Sequence, residues 1–334
     1  MPTIDPTKLK TAKEIGRPDI LFCVARLPDS TRLWAGSSDG KVYELDPMAE
    51  PSQLGEMAGH SGYVTGVCLT EKHVVSGAYD GRLIWWDLDT REQVRSVEAH
   101  TKWIRGVVAS PHLKLVASVA DDMACRLWNA ETGELVRELR GHDERTPQHF
   151  PSMLYACAFS ADGAQLATAD KLGRAIVWDV AGGNQLASVE APLMYTWDPK
   201  QRIHSIGGAR SVAFSPDGRL LALGGTGQIN NIDHLEALAR VEVFDWRGGE
   251  RTHEFPGDEY KGLVERLAFD PEGKWLLAAG GDHGGFVKIF DIEAGKVAKQ
   301  DKAPMHVHDF TVSEQWDSIY AVGHNKLVVW QFEA

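Results

Sequence analysis

The sequence predicts an all-β fold built from repeated units of four antiparallel strands. Along the 334 residues, the end of a strand-like segment is marked seven times by an aromatic residue or Leu followed by Asp, Asn or Gln. Successive pairs are 41, 42, 50, 66, 46 and 40 residues apart, and a recurrence of this size is typical of repeat architectures in which the longer steps mark insertions. The pairs are Leu45-Asp46, Trp86-Asp87, Trp128-Asn129, Trp178-Asp179, Phe244-Asp245, Phe290-Asp291 and Trp330-Gln331.

The unit that ends at Trp86-Asp87 shows the strand pattern most clearly. Apolar, β-branched and aromatic residues occupy positions 64–69, 74–77 and 83–86, and a Tyr-Asp-Gly turn at 79–81 separates the last two runs. Short runs of this composition between Gly and Asp turns indicate antiparallel strands. A fourth run at 93–97 completes the unit.

These repeats resemble those of the WD-repeat family of β-propellers over nearly the whole chain. The matching motifs are the Gly-His pairs at 59–60 and 141–142 with Ala99-His100 as a variant, the Asp-Gly turns at 39–40 and 80–81, and the Trp-Asp pairs at 86–87 and 178–179. The resemblance implies a ring of seven four-stranded blades.

The same resemblance implies a hydrogen-bonded tetrad of His, Ser or Thr, Asp and Trp in each regular blade. Such a tetrad is structural, because it satisfies polar groups that are buried between blades. In the third set, His142, Thr168 and Trp178, the Asp position holds Leu172, and blades five to seven depart further, so we expect apolar packing to stabilise those blades. The two complete sets are His60, Ser76, Asp80 and Trp86, and His100, Ser118, Asp122 and Trp128.

Ring closure follows from the two ends of the chain. The seventh repeat stops at its third strand, and a spare, roughly alternating segment at 7–15 precedes the first blade. Pairing the two removes open sheet edges, which favour aggregation. We therefore expect one domain over residues 1–334, with approximate blades at 16–59, 60–99, 100–141, 142–191, 192–258, 259–304 and 305–334 plus 7–15.

Composition limits the possible partners and the location. The net charge of −12 disfavours nucleic acid or an anionic membrane as a partner. The N-terminal residues lack the apolar core of a signal peptide, so a cytoplasmic location is expected. Because Cys23, Cys68, Cys125 and Cys157 lie in strands of different blades, they are predicted to be reduced core residues.

Three insertions lengthen the repeat, at 143–152, 192–207 and 226–239. In an up-and-down sheet, the connections that carry them emerge at the same rim of the ring, above blades four and five. Long loops on a rigid scaffold commonly carry recognition. Their aromatic residues Tyr195 and Trp197 are therefore candidates for partner binding, although they would equally serve to pack the loops onto the ring.

The start of each inner strand reaches the same rim, where family members often contact partners. Aromatic residues and Arg, the types that dominate binding hot spots, are frequent there. The predicted function is a non-enzymatic scaffold that presents this rim to a protein or peptide and needs no cofactor. The partner-binding candidates at the rim are Phe22, Tyr63, Tyr79, Trp103, Arg105, Asp121, Met153, Tyr155 and Arg210.

Two alternatives use the same rim. Several aromatic rings around one opening would suit a methylated ammonium group, held by cation–π attraction. A metal- or ligand-dependent enzyme would use histidines of blades six and seven, namely His283, His306, His308 and His324, although no nucleophile motif or metal-binding spacing accompanies them. The sequence leaves the partner and the oligomeric state open.

Overall fold

The computed structural model describes residues 5–110, 114–199, 204–229 and 237–332, and nearly all regular structure in them is β. Two 3₁₀ turns, Pro6–Lys8 and Pro192–Met194, are the exceptions in this part of the chain. None of the helical segments in the described residues is long and apolar enough to cross a bilayer.

Four-stranded antiparallel sheets form the body of the protein. Each runs from a first strand beside the central cavity to a fourth, outer strand that is less buried. The strands of the first three such sheets are β5 (Val64–Leu69), β6 (His73–Ala78), β7 (Arg82–Asp87) and β8 (Gln93–Glu98); β9 (Ile104–Ser110), β10 (Leu115–Ala120), β11 (Cys125–Asn129) and β12 (Leu135–Leu139); and β13 (Leu154–Phe159), β14 (Gln165–Asp170), β15 (Arg174–Asp179) and β16 (Gln185–Glu190).

The remaining strands complete the ring and add one hairpin. The hairpin consists of β17 (Tyr195–Asp198) and β18 (His204–Gly207), inside the second insertion. Two more four-stranded sheets follow, β19 (Ala209–Phe214), β20 (Leu220–Thr226), β21 (Ala239–Asp245) and β22 (Glu250–Phe255); and β23 (Leu263–Phe269), β24 (Trp275–Gly281), β25 (Gly285–Asp291) and β26 (Lys296–Ala303). The last sheet combines β1 (Leu9–Arg26), β2 (Leu33–Ser37), β3 (Lys41–Leu45), β4 (Gln53–Ala58), β27 (Val307–Val312) and β28 (Ser318–Phe332).

The prediction of seven blades is wrong. The described residues form a propeller of six large sheets, five of four strands and one of six strands in the order β27-β28-β1-β2-β3-β4. The physical reason is that β1 continues without interruption from the last repeat into the first, pairing with β28 over Leu9 to Ile20 and with β2 over Leu21 to Arg26. The first and last repeats of the sequence therefore share one sheet.

The predicted closure of the ring by the N-terminal segment is confirmed. Leu9 pairs with Phe332 and Ile15 with Leu327, so the start of β1 covers an edge of β28 that would otherwise be open. The Leu9 side chain is buried in a cluster that includes Val328 and Trp330. Chain ends far apart in sequence thus contribute to one core.

Polar tetrads lie between the regular sheets. The Ser76 hydroxyl, 2.9 Å from His60 Nε2, accepts a hydrogen bond from Trp86 Nε1 at 2.8 Å, and His60 Nδ1 donates to the Asp80 carboxylate at 3.0 Å. The second set makes the same contacts, with His100 Nε2 2.8 Å from Ser118 Oγ and His100 Nδ1 3.0 Å from Asp122. All of these polar groups are thereby satisfied inside the protein.

The third tetrad is also complete, contrary to the sequence prediction. Asp170, two residues before Leu172, accepts from His142 Nδ1 at 2.7 Å, and Thr168 bridges His142 and Trp178. Asp170 also accepts from the backbone N–H groups of Leu172 and Arg174, as the turn Asp does in the regular blades. The carboxylate therefore reaches the histidine from a different position in the strand.

Apolar packing alone does not stabilise the later blades, which corrects another expectation. Glu242 is fully buried and pairs with Arg240 at 2.6 Å and Arg251 at 2.9 Å. The buried Lys288 ammonium lies 2.8 Å from the Asp258 carboxylate. Buried charges need such partners, because an unpaired ion in the interior costs several kcal/mol.

The four cysteines are free and buried, as predicted. Burial raises the pKa of the Cys157 thiol to about 12 and also raises that of Cys68. A thiol of raised pKa carries little thiolate at neutral pH, so these residues act as small core side chains.

Candidate functional site

A backbone hydrogen bond that recurs in five repeats marks one rim of the ring. In three of them, the residue just after the second strand donates its backbone N–H to the carbonyl of the residue just before the first strand. Ser38 donates in the same way to Ile20 within β1, and His324 within β28 donates to His306 just before β27. Each pair therefore presents two neighbouring side chains at the rim. The pairs, donor first, are Ser38 and Ile20, Tyr79 and Tyr63, Asp121 and Trp103, Lys171 and Met153, and His324 and His306.

Aromatic rings at this rim form a continuous ladder. The ring centroids of Phe22 and Tyr63 are 5.5 Å apart, those of Tyr63 and Tyr79 are 5.5 Å apart, and Tyr79 stacks on Trp103 at 4.4 Å with an interplanar angle of 2°. Tyr63 and Trp103 keep 48 and 49% of their surface exposed. The structure thus brings together four of the predicted partner-binding residues, and two of them offer large apolar faces to solvent.

Arg105 connects the ladder to the next blade. Its guanidinium donates to both oxygens of Asp121, at 2.8 and 2.7 Å, and to the Tyr79 hydroxyl at 2.8 Å. It also lies over the rings of Trp103 and Tyr155, at 5.3 and 5.4 Å from their centroids. A guanidinium held by a bidentate carboxylate has a defined orientation, so this part of the rim is preorganised.

Arg210 is a second cation in contact with Tyr155. The Arg210 guanidinium lies 3.5 Å from the Tyr155 ring centroid. Among the described residues, its Nη1 is buried and has no hydrogen-bond partner. Burial lowers the pKa of Lys171, which the sequence analysis did not select, and the like charge of Arg210 lowers it further.

The sequence signal that would have identified Lys171 was its place directly before the expected turn Asp, the position that Tyr79 and Asp121 occupy in earlier repeats. Replacement of that Asp by Leu172 obscured the register. The hydrogen bond from Lys171 N to the Met153 carbonyl places the lysine at the rim. Met153 also lies at the rim, and its sulfur accepts a hydrogen bond from the Tyr155 hydroxyl at 2.9 Å.

The three insertions contact one another. The Tyr195 hydroxyl donates to Gln148 Oε1 at 2.7 Å, the Trp197 and Phe150 rings are 5.1 Å apart, and the Ile229 N–H donates to Thr196 Oγ1 at 2.9 Å. Tyr195 and Trp197 therefore join the first insertion to the second. Residues 230–236 of the third insertion lie outside the described residues.

The rim surrounds a cavity of about 820 Å³. The strands that enclose it are β1, β5, β9, β13, β19, β23 and β27, so it follows the axis of the ring. Tyr79, Arg105, Tyr155 and Arg210 line the cavity as well as the rim. Side chains of a partner that cover the rim would have direct access to this space.

The geometry disfavours an aromatic cage for methylated ammonium. Arg105 already lies over Tyr79, Trp103 and Tyr155, where a cage would place the ligand's cation. Arg210 also lies over the Tyr155 ring, so a ligand cation at these rings would meet two like charges.

Three of the four candidate histidines converge, and one does not. The side-chain nitrogens of His306, His308 and His324 lie within 4.8 Å of one another, and the His308 ring is 4.9 Å from Phe22 at the end of the ladder. His283 is 88% exposed and its only described side-chain contact is with Asp282, at 3.0 Å. The sequence pattern therefore identified the region, and the structure selects three of its members.

Comparison with known proteins agrees with this architecture. Residues 51–87, 91–129, 133–179 and 249–291 match the family model described as WD domain, G-beta repeat. The recurring sheets and tetrads define a β-propeller made of sequence repeats. The chain belongs to the WD-repeat family.

Several relatives are similar to large parts of the chain. Telomerase protein component 1 of Mus musculus is 26% identical over 259 residues, which cover 78% of this chain and 8% of that protein. Guanine nucleotide-binding protein subunit beta of Oryza sativa subsp. indica is 26% identical over 251 residues, or 72% of this chain and 58% of that protein. Apoptotic protease-activating factor 1 of Rattus norvegicus is 28% identical over 157 residues, 47% of this chain and 12% of that protein.

This chain thus spans about a tenth of the length of the telomerase component and of the protease-activating factor. Proteins of the WD-repeat family typically act as scaffolds for protein interactions.

Proposed function

We propose that this protein is a non-enzymatic scaffold whose aromatic rim binds a segment of another protein that carries an acidic side chain. The observation that carries the proposal is the ladder from Phe22 to Trp103, with Tyr63 and Trp103 about half exposed. Exposed aromatic residues on a rigid surface supply large contact area at a small cost in side-chain entropy.

The charge of the expected partner follows from Arg210. Asp121 neutralises Arg105, whereas the buried Nη1 of Arg210 has no acceptor among the described residues. A buried donor without an acceptor is costly, and a carboxylate from a partner would satisfy it. We therefore place the acidic side chain at the cavity mouth beside Tyr155.

Partner capture from the native cell extract tests the surface. The Tyr63→Ala, Trp103→Ala variant is compared with wild type and with a matched control, Leu135→Ala, Leu186→Ala. The control removes apolar side chains of similar exposure, 51 and 49%, from the outer strands β12 and β16. We expect a partner that wild type and control retain and the rim variant loses. Equal capture by all three folded proteins would contradict the proposal.

The acidic contact has its own test once a partner is captured. Arg210→Gln is expected to weaken binding at least tenfold, and binding of wild type is expected to weaken with added salt, since the contact joins opposite charges. An unchanged affinity would contradict the placement of the acidic group. The single domain with the stated boundaries and the cytoplasmic location stay predictions.

A further inference from the structure

The histidine cluster next to the ladder contains buried nitrogens that nothing in the described structure satisfies. His306 Nε2 and His308 Nε2 are both buried without a hydrogen-bond partner. The rings of His306, His308 and His324 are mutually close, with centroids 4.4 to 5.0 Å apart. Unpartnered buried polar atoms are rare in proteins, and such a group of them indicates a missing ligand.

The tautomer of His306 follows from its neighbour. His306 Nδ1 is 3.1 Å from the backbone carbonyl oxygen of Asp282, which only accepts hydrogen bonds, so Nδ1 carries a proton. In the neutral ring, Nε2 then presents a lone pair. Metal-binding histidines are commonly oriented in this way, by donating the second ring N–H to a carbonyl.

A carboxylate faces this lone pair. Glu265 Oε1 lies 3.5 Å from His306 Nε2. A proton on Nε2 makes this contact an ion pair, and a metal ion bound between the two atoms is attracted by both. A metal ion bound by the cluster also gives His308 Nε2 a partner.

We propose that His306, His308, His324 and Glu265 form a binding site for a divalent transition-metal ion of the zinc type. Three imidazoles and one carboxylate are a donor set that Zn²⁺ accepts in tetrahedral geometry. Ligand atoms of such a site are roughly 3.4 Å apart, given bond lengths of about 2.1 Å. Binding therefore draws the nitrogens inward from their present limit of 4.8 Å, and the exposed His324 is the member with room to rotate.

The site goes beyond the proposed scaffold role, because binding of the ion requires no partner protein.

Titration of the untagged chain with Zn²⁺ after chelator treatment tests the site. We expect saturable binding of one ion by calorimetry, and a visible absorption band of four-coordinate Co²⁺ when that ion is used instead. The affinity is expected to fall at least tenfold in His308→Ala, His324→Ala and Glu265→Gln. The control His283→Ala, which removes the exposed histidine outside the cluster, is expected to bind like wild type.

The absence of saturable Zn²⁺ binding by wild type would overturn the proposal. Retained affinity in both His308→Ala and His324→Ala would overturn it as well. Melting temperatures measured in chelator show that each variant is folded, and the exposed His324 provides a substitution that leaves the core intact should His308→Ala fail to fold. If the chain binds Zn²⁺ but captures no partner, the metal site stands and the scaffold role fails. If it captures a partner but does not bind Zn²⁺, the scaffold role stands and the metal site fails.

Discussion

Asp121 holds Arg105 through two hydrogen bonds, 2.8 and 2.7 Å long, at the point where the guanidinium lies over the rings of Tyr79, Trp103 and Tyr155. One carboxylate thereby sets the position of a cation that contacts three aromatic rings. The aromatic rim depends on this pair for its order, since an unpaired guanidinium has many rotamers.

Asp121→Asn is therefore expected to lower both stability and partner affinity. Loss of a charged acceptor beside a half-buried Arg costs about 1–3 kcal/mol in the free energy of unfolding, and a loosened Arg105 no longer orients the rings. Urea denaturation and binding of the captured partner measure the two effects. The matched control is Asp89→Asn, whose carboxylate lies in an exposed turn. Equal behaviour of the two variants would contradict the assigned role of Asp121.

The complete third tetrad predicts which carboxylate stabilises that blade. Asp170→Ala removes the acceptor of the buried His142 Nδ1 and of two backbone N–H groups, so we expect a loss of about 2–4 kcal/mol. Leu172→Ala removes only part of a half-buried apolar side chain and is expected to cost less. Denaturation curves of the two variants compare them. A larger loss in Leu172→Ala would show that the tetrad does not stabilise the fold through Asp170.

The tetrads also predict acid sensitivity. Although burial alone would raise it, hydrogen bonds from His60 and from backbone N–H groups lower the pKa of Asp80 to about 2, and similar contacts lower that of Asp122. A carboxyl group with a lowered pKa stabilises the folded state above its unfolded pKa of 3.8, and this contribution disappears as the pH falls toward 2. Stability is therefore expected to fall between about pH 4 and 2.

The Asp80→Asn variant tests this linkage, because it has no carboxyl group to titrate at that position. Its free energy of unfolding, measured by urea denaturation across this pH range, is expected to change less steeply than that of wild type. Parallel pH profiles would contradict the contribution assigned to Asp80.

Closure of the ring predicts the effect of N-terminal truncation. A chain that begins at Gly16 loses the pairing of Leu9 to Ile15 with β28 and exposes the edge that they cover. We expect a lower melting temperature and concentration-dependent aggregation, because an open apolar edge pairs with other chains. Calorimetry and light scattering measure these effects. An unchanged melting temperature would contradict the role of this segment in closing the sheet.

The sequence by itself determined the strands, the repeat, the N-terminal closure and the regular tetrads. These features depend on the alternation of apolar and polar residues along each strand and on motifs that recur along the chain. Both can be read from the sequence alone. It also identified the aromatic residues of the rim, because their offsets from the repeat motifs are regular. The sequence did not determine the number of blades, because only the backbone pairing shows that β1 joins the first and last repeats in one sheet.

Only the tertiary structure decided which polar groups meet. Asp170 replaces the Asp expected at position 172 because side-chain reach, not sequence offset, selects the partner of His142. Glu265 lies in β23, His306 just before β27 and His324 in β28, and the sequence pattern that identified the histidines did not connect Glu265 with them. Contacts between distant segments depend on how the sheets pack around the axis, and that arrangement exists only in three dimensions.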